Sequence, residues 1–218
     1  MDKVEVKFGV WIEKGLDLWK KHLGILIPAC LIGSLLSIVT CGILAGPMYA
    51  GLFMITLAML DGKTPVPTIG DIFKGFSCFL QSFLLVIVVA ACVGAVNLIL
   101  MFIPCIGSLL SMLITYLVST AVMFALPLVA EHNLDFWKAI QASYAKVKTN
   151  LWPFLGFYIV ASLIGAVGVI ACVIGIIVTA PLSITIMSVA YRDVFGGGPA
   201  PAPVAEPVPA TPPPPPQA

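Results

Sequence analysis

Few residues in this chain have side chains and spacings that could support catalysis. The chain has two histidines, His22 and His132, and each lies beside charged residues rather than near a serine or cysteine in an apolar segment. A metalloprotease helix requires an HExxH motif and a serine hydrolase requires a histidine base, and neither arrangement is present. No glycine-rich phosphate-binding loop occurs either. We therefore predict no catalytic residue, no cofactor and a protein that is not an enzyme.

The six cysteines do not form a metal or redox motif. No two of them are spaced as CxxC, the pattern typical of zinc and thioredoxin-like sites, so we predict no bound metal. Three of them, Cys41, Cys105 and Cys172, fall at the turns described below. If those turns face an oxidising compartment, two of the three thiols could form a disulfide. The alternative is that they serve as small apolar residues.

The composition is typical of a membrane protein. Of the 218 residues, 60 % are hydrophobic and 10 % are charged, with a formal charge of +1 and a mean hydropathy of +1.10. Soluble domains have about 25 % charged residues, so this chain has too few charges to cover a surface that faces water. The composition therefore argues against a soluble enzyme, a nucleic-acid-binding protein and a disordered chain.

Three long stretches contain no Asp, Glu, Lys or Arg: Leu23–Leu60, Gly75–Ala130 and Thr149–Tyr191. One membrane crossing takes ~20 apolar residues, so each stretch is long enough for two helices. Glycine or proline marks a turn within each stretch, at 40–42, 104–107 and 172–175. We predict an all-α polytopic fold with six transmembrane helices in three hairpins, at Leu23–Val39, Ile43–Leu60, Leu84–Ile103, Gly107–Val129, Leu151–Ala171 and Ile176–Tyr191.

The basic residues predict the orientation of these hairpins. The three turns contain no charge, and all eleven lysines and arginines lie on the opposite side. Because cytoplasmic segments are enriched in Lys and Arg, both chain termini are predicted to be cytoplasmic. The predicted location is the cell (inner) membrane, as a multi-pass protein.

An amphipathic segment precedes each predicted hairpin, and the three segments are offset by 64 residues. Each presents five apolar side chains at α-helical spacing, namely Phe8, Ile12, Leu16, Trp19 and Leu23; Ile72, Phe76, Leu80, Phe83 and Ile87; and Phe136, Ile140, Tyr144, Val147 and Leu151. The pattern predicts three repeats within residues 1–195, each an interfacial helix followed by a hairpin. The tryptophans suit the headgroup level, namely Trp11, Trp19, Trp137 and Trp152.

The candidate site residues are polar groups in or beside the predicted spans. Asn97 is the one side-chain amide within them, and it either forms an interhelical hydrogen bond or lines a pore. Tyr191 and Arg192 close the last span and are expected near Lys20 and Lys21. These four residues are candidates for contact with lipid or a partner. The alternative is that they only anchor the chain at the interface.

Several short motifs in residues 1–195 are similar to those of a group of bacterial multi-pass membrane families. The motifs are Gly46–Pro47 with Gly51–Leu52, the segment from Asp71 to Phe76, Ala139, Ser143 and Asn150, and Pro181 followed by Tyr191–Arg192–Asp193. The group includes the membrane domain found beside some glycerophosphodiester phosphodiesterases. The phosphodiesterase catalytic domain has no counterpart here, so the resemblance implies the membrane fold and not that activity.

The last segment of the chain, residues 196–218, is rich in glycine and proline and is predicted to be a disordered cytoplasmic tail. It is either a ligand for a protein partner or a spacer. We expect the protein to be a non-catalytic scaffold or lipid-organising protein. The alternative is a carrier or channel for a neutral or lipidic solute. The expected partners are membrane lipid, a protein bound through the tail and a second copy of the chain, with no nucleic acid.

Overall fold

The structure, a computed structural model, describes the backbone of residues 6–103, 106–170 and 172–196, and every regular element in these ranges is helical. The predicted tail lies outside the described residues from position 197 onwards. Within these ranges, two 3-10 helices, Ile69–Cys78 and Lys148–Asn150, accompany nine α-helices: α1 (Phe8–Lys21), α2 (Leu23–Val39), α3 (Ala45–Leu60), α4 (Phe79–Leu100), α5 (Ile106–Val122), α6 (Ala125–His132), α7 (Phe136–Val147), α8 (Leu151–Ile170) and α9 (Cys172–Phe195).

The helices follow the charge-free stretches closely. α2 has the predicted bounds, and α3 and α8 end or begin within two residues of theirs. The turn predicted at 172–175 is wrong, because those residues form the first turn of α9. Residue 171, between α8 and α9, lies outside the described residues.

Three described helical segments are long and apolar enough to cross a membrane: Ile69–Leu100, Gly107–His132 and Phe136–Ala166. α1 and α2 would form a fourth crossing if they were one span, but they are bent by 91°. α3 is also apolar but has only 16 residues. The fold is therefore all-α with three or four helices that could span a membrane, which is a coarser result than the six predicted helices.

The fourth predicted span is broken between α5 and α6. Pro127 has no N–H to donate to the carbonyl four residues earlier, and its ring crowds that carbonyl, so the helix ends before it. The hydroxyl of Ser143, on α7, donates to the carbonyl of Ala121 at 2.7 Å and accepts from the amide of Phe124 at 3.3 Å. A buried side chain on one helix thus satisfies backbone groups that the break exposes on another.

The 3-10 helix over Ile69–Cys78 has three distinct faces, because residues three apart eclipse each other in this geometry. Phe73 and Phe76 share an exposed face, and their rings stack 6.2 Å apart. The prediction that Ile72 and Phe76 share one face is wrong, because it assumed 3.6 residues per turn. The face that packs into the protein holds Ile72, Gly75 and Cys78.

α3 crosses this 3-10 helix at two glycines. A Cβ at Gly51 would overlap the carbonyl oxygen of Ile72, and a Cβ at Gly75 would overlap the carbonyl oxygen of Pro47. The two backbones therefore approach as closely as they do only because both side chains are absent. The motif around Pro47 and the motif from Asp71 to Phe76 are in direct contact.

α1 runs antiparallel to α9. The indole of Trp11 donates to Oδ2 of Asp193 at 3.0 Å, and the indole of Trp19 donates to the carbonyl of Val178 at 3.1 Å. Residues further along α1 therefore contact residues earlier in α9.

Part of the apolar face of α1 packs against α8 and α9. Trp11 is 1 % exposed and packs edge-on against Phe157, with the ring centroids 4.9 Å apart. A Cβ at Gly15 would lie 2.8 Å from the Cα of Ile186, so this glycine sets the close approach to α9. The interfacial position of α1 stays a prediction, but the protein itself covers part of the face that was expected to lie on lipid. Amphipathicity showed that one face is covered, but not that α8 and α9 cover it.

α7 keeps its large aromatic side chains on the outside. Trp137 and Tyr144 are about half exposed, and small residues fill the buried line, namely Ala139, Ser143 and Val147. The elements follow the predicted order, a leading helical segment and then a helix pair, three times. The leading segments differ in helix type and in packing, and the 64-residue repeat remains a prediction.

Candidate functional site

The first charged residue after each charge-free stretch lies in one cluster, and these residues are Asp61, Glu131 and Arg192. Together with Tyr191 they form what we term the end cluster. Asp61 follows the last residue of α3, Glu131 lies in the last turn of α6, and the other two lie near the end of α9. The carboxyl ends of three helices therefore meet at one end of the bundle.

Arg192 joins the other two helices to α9. One guanidinium nitrogen, Nη2, lies 2.6 Å from Oδ2 of Asp61, and Nη1 lies 2.5 Å from Oε1 of Glu131. The second oxygen of Glu131, Oε2, accepts a hydrogen bond from the Tyr191 hydroxyl at 2.6 Å. Both oxygens of the Glu131 carboxylate are therefore engaged.

The cluster is partly screened from water. The Arg192 side chain is 16 % exposed, and the two carboxylate side chains are 22 % and 27 % exposed. Burial alone would lower the pKa of Arg192, but the hydrogen bonds and negative charges of Glu131 and Asp61 outweigh it and raise that pKa. Arg192 is therefore a cation at neutral pH.

Two further basic groups lie at the edge of the end cluster. His132 Nε2 is 3.6 Å from Oε2 of Glu131, and Lys63 Nζ is 3.9 Å from Oδ2 of Asp61. Within the part of the chain that the structure describes, Arg192 Nε is a buried side-chain nitrogen without a hydrogen-bond partner.

The geometry of the end cluster suits a structural connection between helices. A general base needs a lone pair directed at a substrate, and the carboxylate of Glu131 directs one oxygen at Arg192 and the other at Tyr191. Partly buried, charge-assisted hydrogen bonds of this kind hold their partners in a fixed geometry.

No known protein family, curated protein or solved structure matches this chain. The arrangement of side chains therefore carries the functional argument.

Of the four charged or aromatic site candidates, the structure brings together Tyr191 and Arg192 only. Lys20 and Lys21 end α1, and α1 runs antiparallel to α9 with Trp19 at Val178. A helix rises 1.5 Å per residue, so the two lysines lie roughly 20 Å along α9 from Arg192. The expectation that the lysine pair lies near the end of the last span is wrong, because the α1 helix docks lengthwise.

Asn97 links α4 to α5. Its Nδ2 donates to the Val93 carbonyl at 2.8 Å and lies 3.4 Å from the hydroxyl of Thr115, and its Oδ1 accepts from Ser111. A cavity of about 440 Å³ lies beside these residues. The structure therefore places the amide in an interhelical hydrogen-bond network at the edge of a cavity.

The described cysteines are free thiols. Cys41 is exposed in the turn between α2 and α3, while Cys105 and the side chain of Cys172 lie outside the described part of the chain. Among the residues described, no three His, Cys, Asp or Glu side chains are grouped so that they could hold a metal ion.

Sequence reasoning missed Asp61 and Glu131, although a signal was present. Both are acids that directly follow a charge-free stretch, as Arg192 follows the third. The second helix of each predicted hairpin ends on the same side of the membrane. The predicted topology therefore puts these three charged residues on one side. One arginine and two acids at the same end of the bundle are expected to form ion pairs with each other rather than a basic surface.

Proposed function

We propose that this protein is a non-catalytic integral protein of the bacterial inner membrane that organises lipid or a protein partner. One observation carries the proposal: polar groups pair with each other across helices, while apolar side chains face outwards. The pairing includes Arg192 with Asp61 and Glu131, and the buried hydroxyls of Thr56 and Ser188, which lie 2.6 Å apart. In the candidate span Ile69–Leu100 only 11 % of the apolar window is buried inside the protein.

We propose further that the helix pairs α2–α3, α4 with α5–α6, and α8–α9 insert as three hairpins with both termini in the cytoplasm. The end cluster supports this arrangement because three helices that the hairpin topology orients alike all end there. α2 is the exception: it leaves α1 at 91° while α1 lies along α9, so α2 runs across α9, and only its apolar sequence supports its place in a membrane-crossing pair.

The position of Cys41 tests this topology. In a variant that retains only this cysteine, a membrane-impermeant maleimide added to intact cells should label it, because the α2–α3 turn is expected outside. Labelling only after the membrane is opened would indicate a re-entrant pair. A reporter fused after Ala218 should be cytoplasmic, and an external reporter would overturn the orientation.

The scaffold role has its own test. The full chain purified in mild detergent should retain a protein partner, or its deletion from the producing cell should change membrane lipid composition. If neither a partner nor a lipid change is found, the proposal fails. Removing residues 199–218 then reports whether the partner binds through the proline-rich tail.

A second function, a carrier for a neutral or lipidic solute, is favoured by one cavity. It has a volume of about 230 Å³, lies between α3, α8 and α9, and combines the apolar wall of Phe53 with the hydroxyls of Tyr158, Ser162 and Ser183. Proteoliposomes that contain a fluorescently labelled phosphatidylcholine and are bleached by dithionite distinguish the two functions. Dithionite bleaches only the labelled lipid in the outer leaflet. Bleaching beyond that of protein-free vesicles would show transfer between leaflets and favour the carrier.

A further inference from the structure

We propose that a groove beside the end of α3 binds the headgroup of an anionic phospholipid. The groove has a volume of about 430 Å³ and lies between the last two turns of α3, the loop 61–68 and the start of the first 3-10 helix. This inference rests on the proposed function, since it names the lipid contact through which the protein would act. The residues that carry it are Met54, Ala58, Lys63, Val66, Asp71 and Lys74.

The rim of the groove has two exposed ammonium groups. The side chains of Lys63 and Lys74 are 66 % and 68 % exposed. Lys74 Nζ contacts Oδ1 of Asp71 at 2.8 Å, and Lys63 Nζ is 3.9 Å from Asp61. Both ammonium groups therefore keep donors directed at solvent, where a phosphate can accept them.

The acids beside these lysines have other partners. Oδ2 of Asp71 accepts the backbone N–H of Thr68 at 2.7 Å and so caps the 3-10 helix, while Oδ2 of Asp61 is bound by Arg192 at 2.6 Å. The charged residues that line the groove, two lysines and one aspartate, leave one net positive charge. The rim thus has charge complementary to a phosphodiester.

The floor of the groove is apolar, which selects an amphiphile over a soluble anion. Met54 and Ala58 come from α3, and Val66 stands 56 % exposed in the loop. The candidate span Ile69–Leu100 begins beside the groove, and Phe73 on the same 3-10 helix is 48 % exposed. A free phosphate gains nothing from such surfaces, whereas a lipid places its glycerol and upper acyl carbons on them.

Native mass spectrometry of the full chain in detergent tests the proposal, with dioleoylphosphatidylglycerol and dioleoylphosphatidylcholine as probes. The wild-type protein should bind one phosphatidylglycerol more tightly than phosphatidylcholine. The double variant Lys63→Gln/Lys74→Gln should lose about thirtyfold in phosphatidylglycerol affinity, or five- to sixfold for each lysine. The matched control Lys7→Gln/Lys14→Gln, which removes two exposed lysines at and near the start of α1, should bind as the wild type does.

Two further variants separate the contributions of charge and floor. Lys63→Arg/Lys74→Arg should restore binding, and Ala58→Leu, which fills part of the floor and keeps both lysines, should weaken it. Equal loss in the double variant and in the α1 control would show diffuse charge attraction and overturn the groove. Displacement of phosphatidylglycerol by millimolar inorganic phosphate would assign the site to a soluble anion. Each failure leaves the membrane role untouched, because that role depends on the topology, partner and lipid-composition tests.

Discussion

At the scale of single residues, the clearest feature is that one arginine holds three helix ends. Arg192 contacts Asp61 and Glu131, and the hydroxyl of Tyr191 contacts the same glutamate. Ion pairs on open surfaces contribute little to stability, but removal of one partner from a partly buried pair leaves an uncompensated charge. The connection between α3, α6 and α9 therefore depends strongly on this side chain.

Arg192→Gln should lower the free energy of unfolding by about 2–3 kcal/mol, because it leaves two carboxylates close together without their cation. A thermal-shift assay in detergent should show a fall in Tm of about 5–10 °C. Lys20→Gln, which removes an exposed lysine of α1, is the control and should leave Tm nearly unchanged. Equal Tm values for the two variants would show that the end cluster does not stabilise the fold.

The end cluster also shows how far sequence reasoning reaches at this scale. The sequence singles out Tyr191, which ends the last charge-free stretch, and Arg192, which follows it. Their partners Asp61 and Glu131 were not singled out, because an acid beside a membrane span is usually solvated and nothing local distinguishes a paired carboxylate from a free one. The pairing joins three helix ends whose contacting residues are at least 60 positions apart in the chain.

At the scale of elements, helix ends were more predictable than helix environments. Charges and Gly or Pro residues limit helices locally, so α2, α3 and α8 lie close to their predicted bounds. The prediction for the segment Ile69–Cys78 assumed an α-helical period, which Ile72, Phe76 and Leu80 fit. In a chain that is 60 % hydrophobic, such a match arises readily by chance. In the structure, the three-residue period places Ile72 and Gly75 on one face, against α3.

Gly75→Ala should destabilise the protein by more than 3 kcal/mol, because the added Cβ meets backbone that has no freedom to withdraw. The measurement is the yield of monodisperse protein together with Tm. Gly70→Ala is a matched control in the same 3-10 helix, since its Cβ would meet nothing nearer than the Thr68 hydroxyl at 3.8 Å. If both variants behave alike, α3 and the 3-10 helix do not cross as described.

Ser143→Ala should cost about 1–3 kcal/mol, because it leaves the carbonyl of Ala121 and the amide of Phe124 without their side-chain partner at a buried helix break. Hydrogen–deuterium exchange should rise at 121–125 more than elsewhere. Ser162→Ala is the comparison, since that hydroxyl bonds only the Ile159 carbonyl of its own helix among the described contacts. Unchanged exchange at the break would contradict the role of Ser143.

At the scale of the whole molecule, the first and the last helices form one unit. α1 contacts α9 through Trp11, Gly15 and Trp19, and it also packs on α8. Its charged face, which includes Lys14, Lys20 and Lys21, remains exposed. The structure therefore presents a polar strip beside the α8–α9 pair, where the sequence alone predicted only a helix in the plane of the membrane.

Gly15→Leu should release α1 from α9, because its Cβ would lie 2.8 Å from the Cα of Ile186. Trypsin should then cut after Lys14, Lys20 or Lys21 much faster than in the wild type, since a docked helix resists entry into a protease site. Gly9→Leu is the control on the same helix, where a Cβ meets nothing within 4 Å. Rapid cleavage of the wild type would show that α1 is not docked.

The pairing of α1 with α9 sets an order of events during synthesis. Trp19 and its acceptor Val178 are 159 residues apart in the chain. At synthesis rates of about 5–20 residues per second, roughly ten to thirty seconds pass between the synthesis of α1 and that of the α9 residues on which it docks. During that interval an amphipathic helix with two unburied indoles is available to membrane or chaperone. Nascent chains halted before residue 178 should therefore be the species most prone to aggregation or capture.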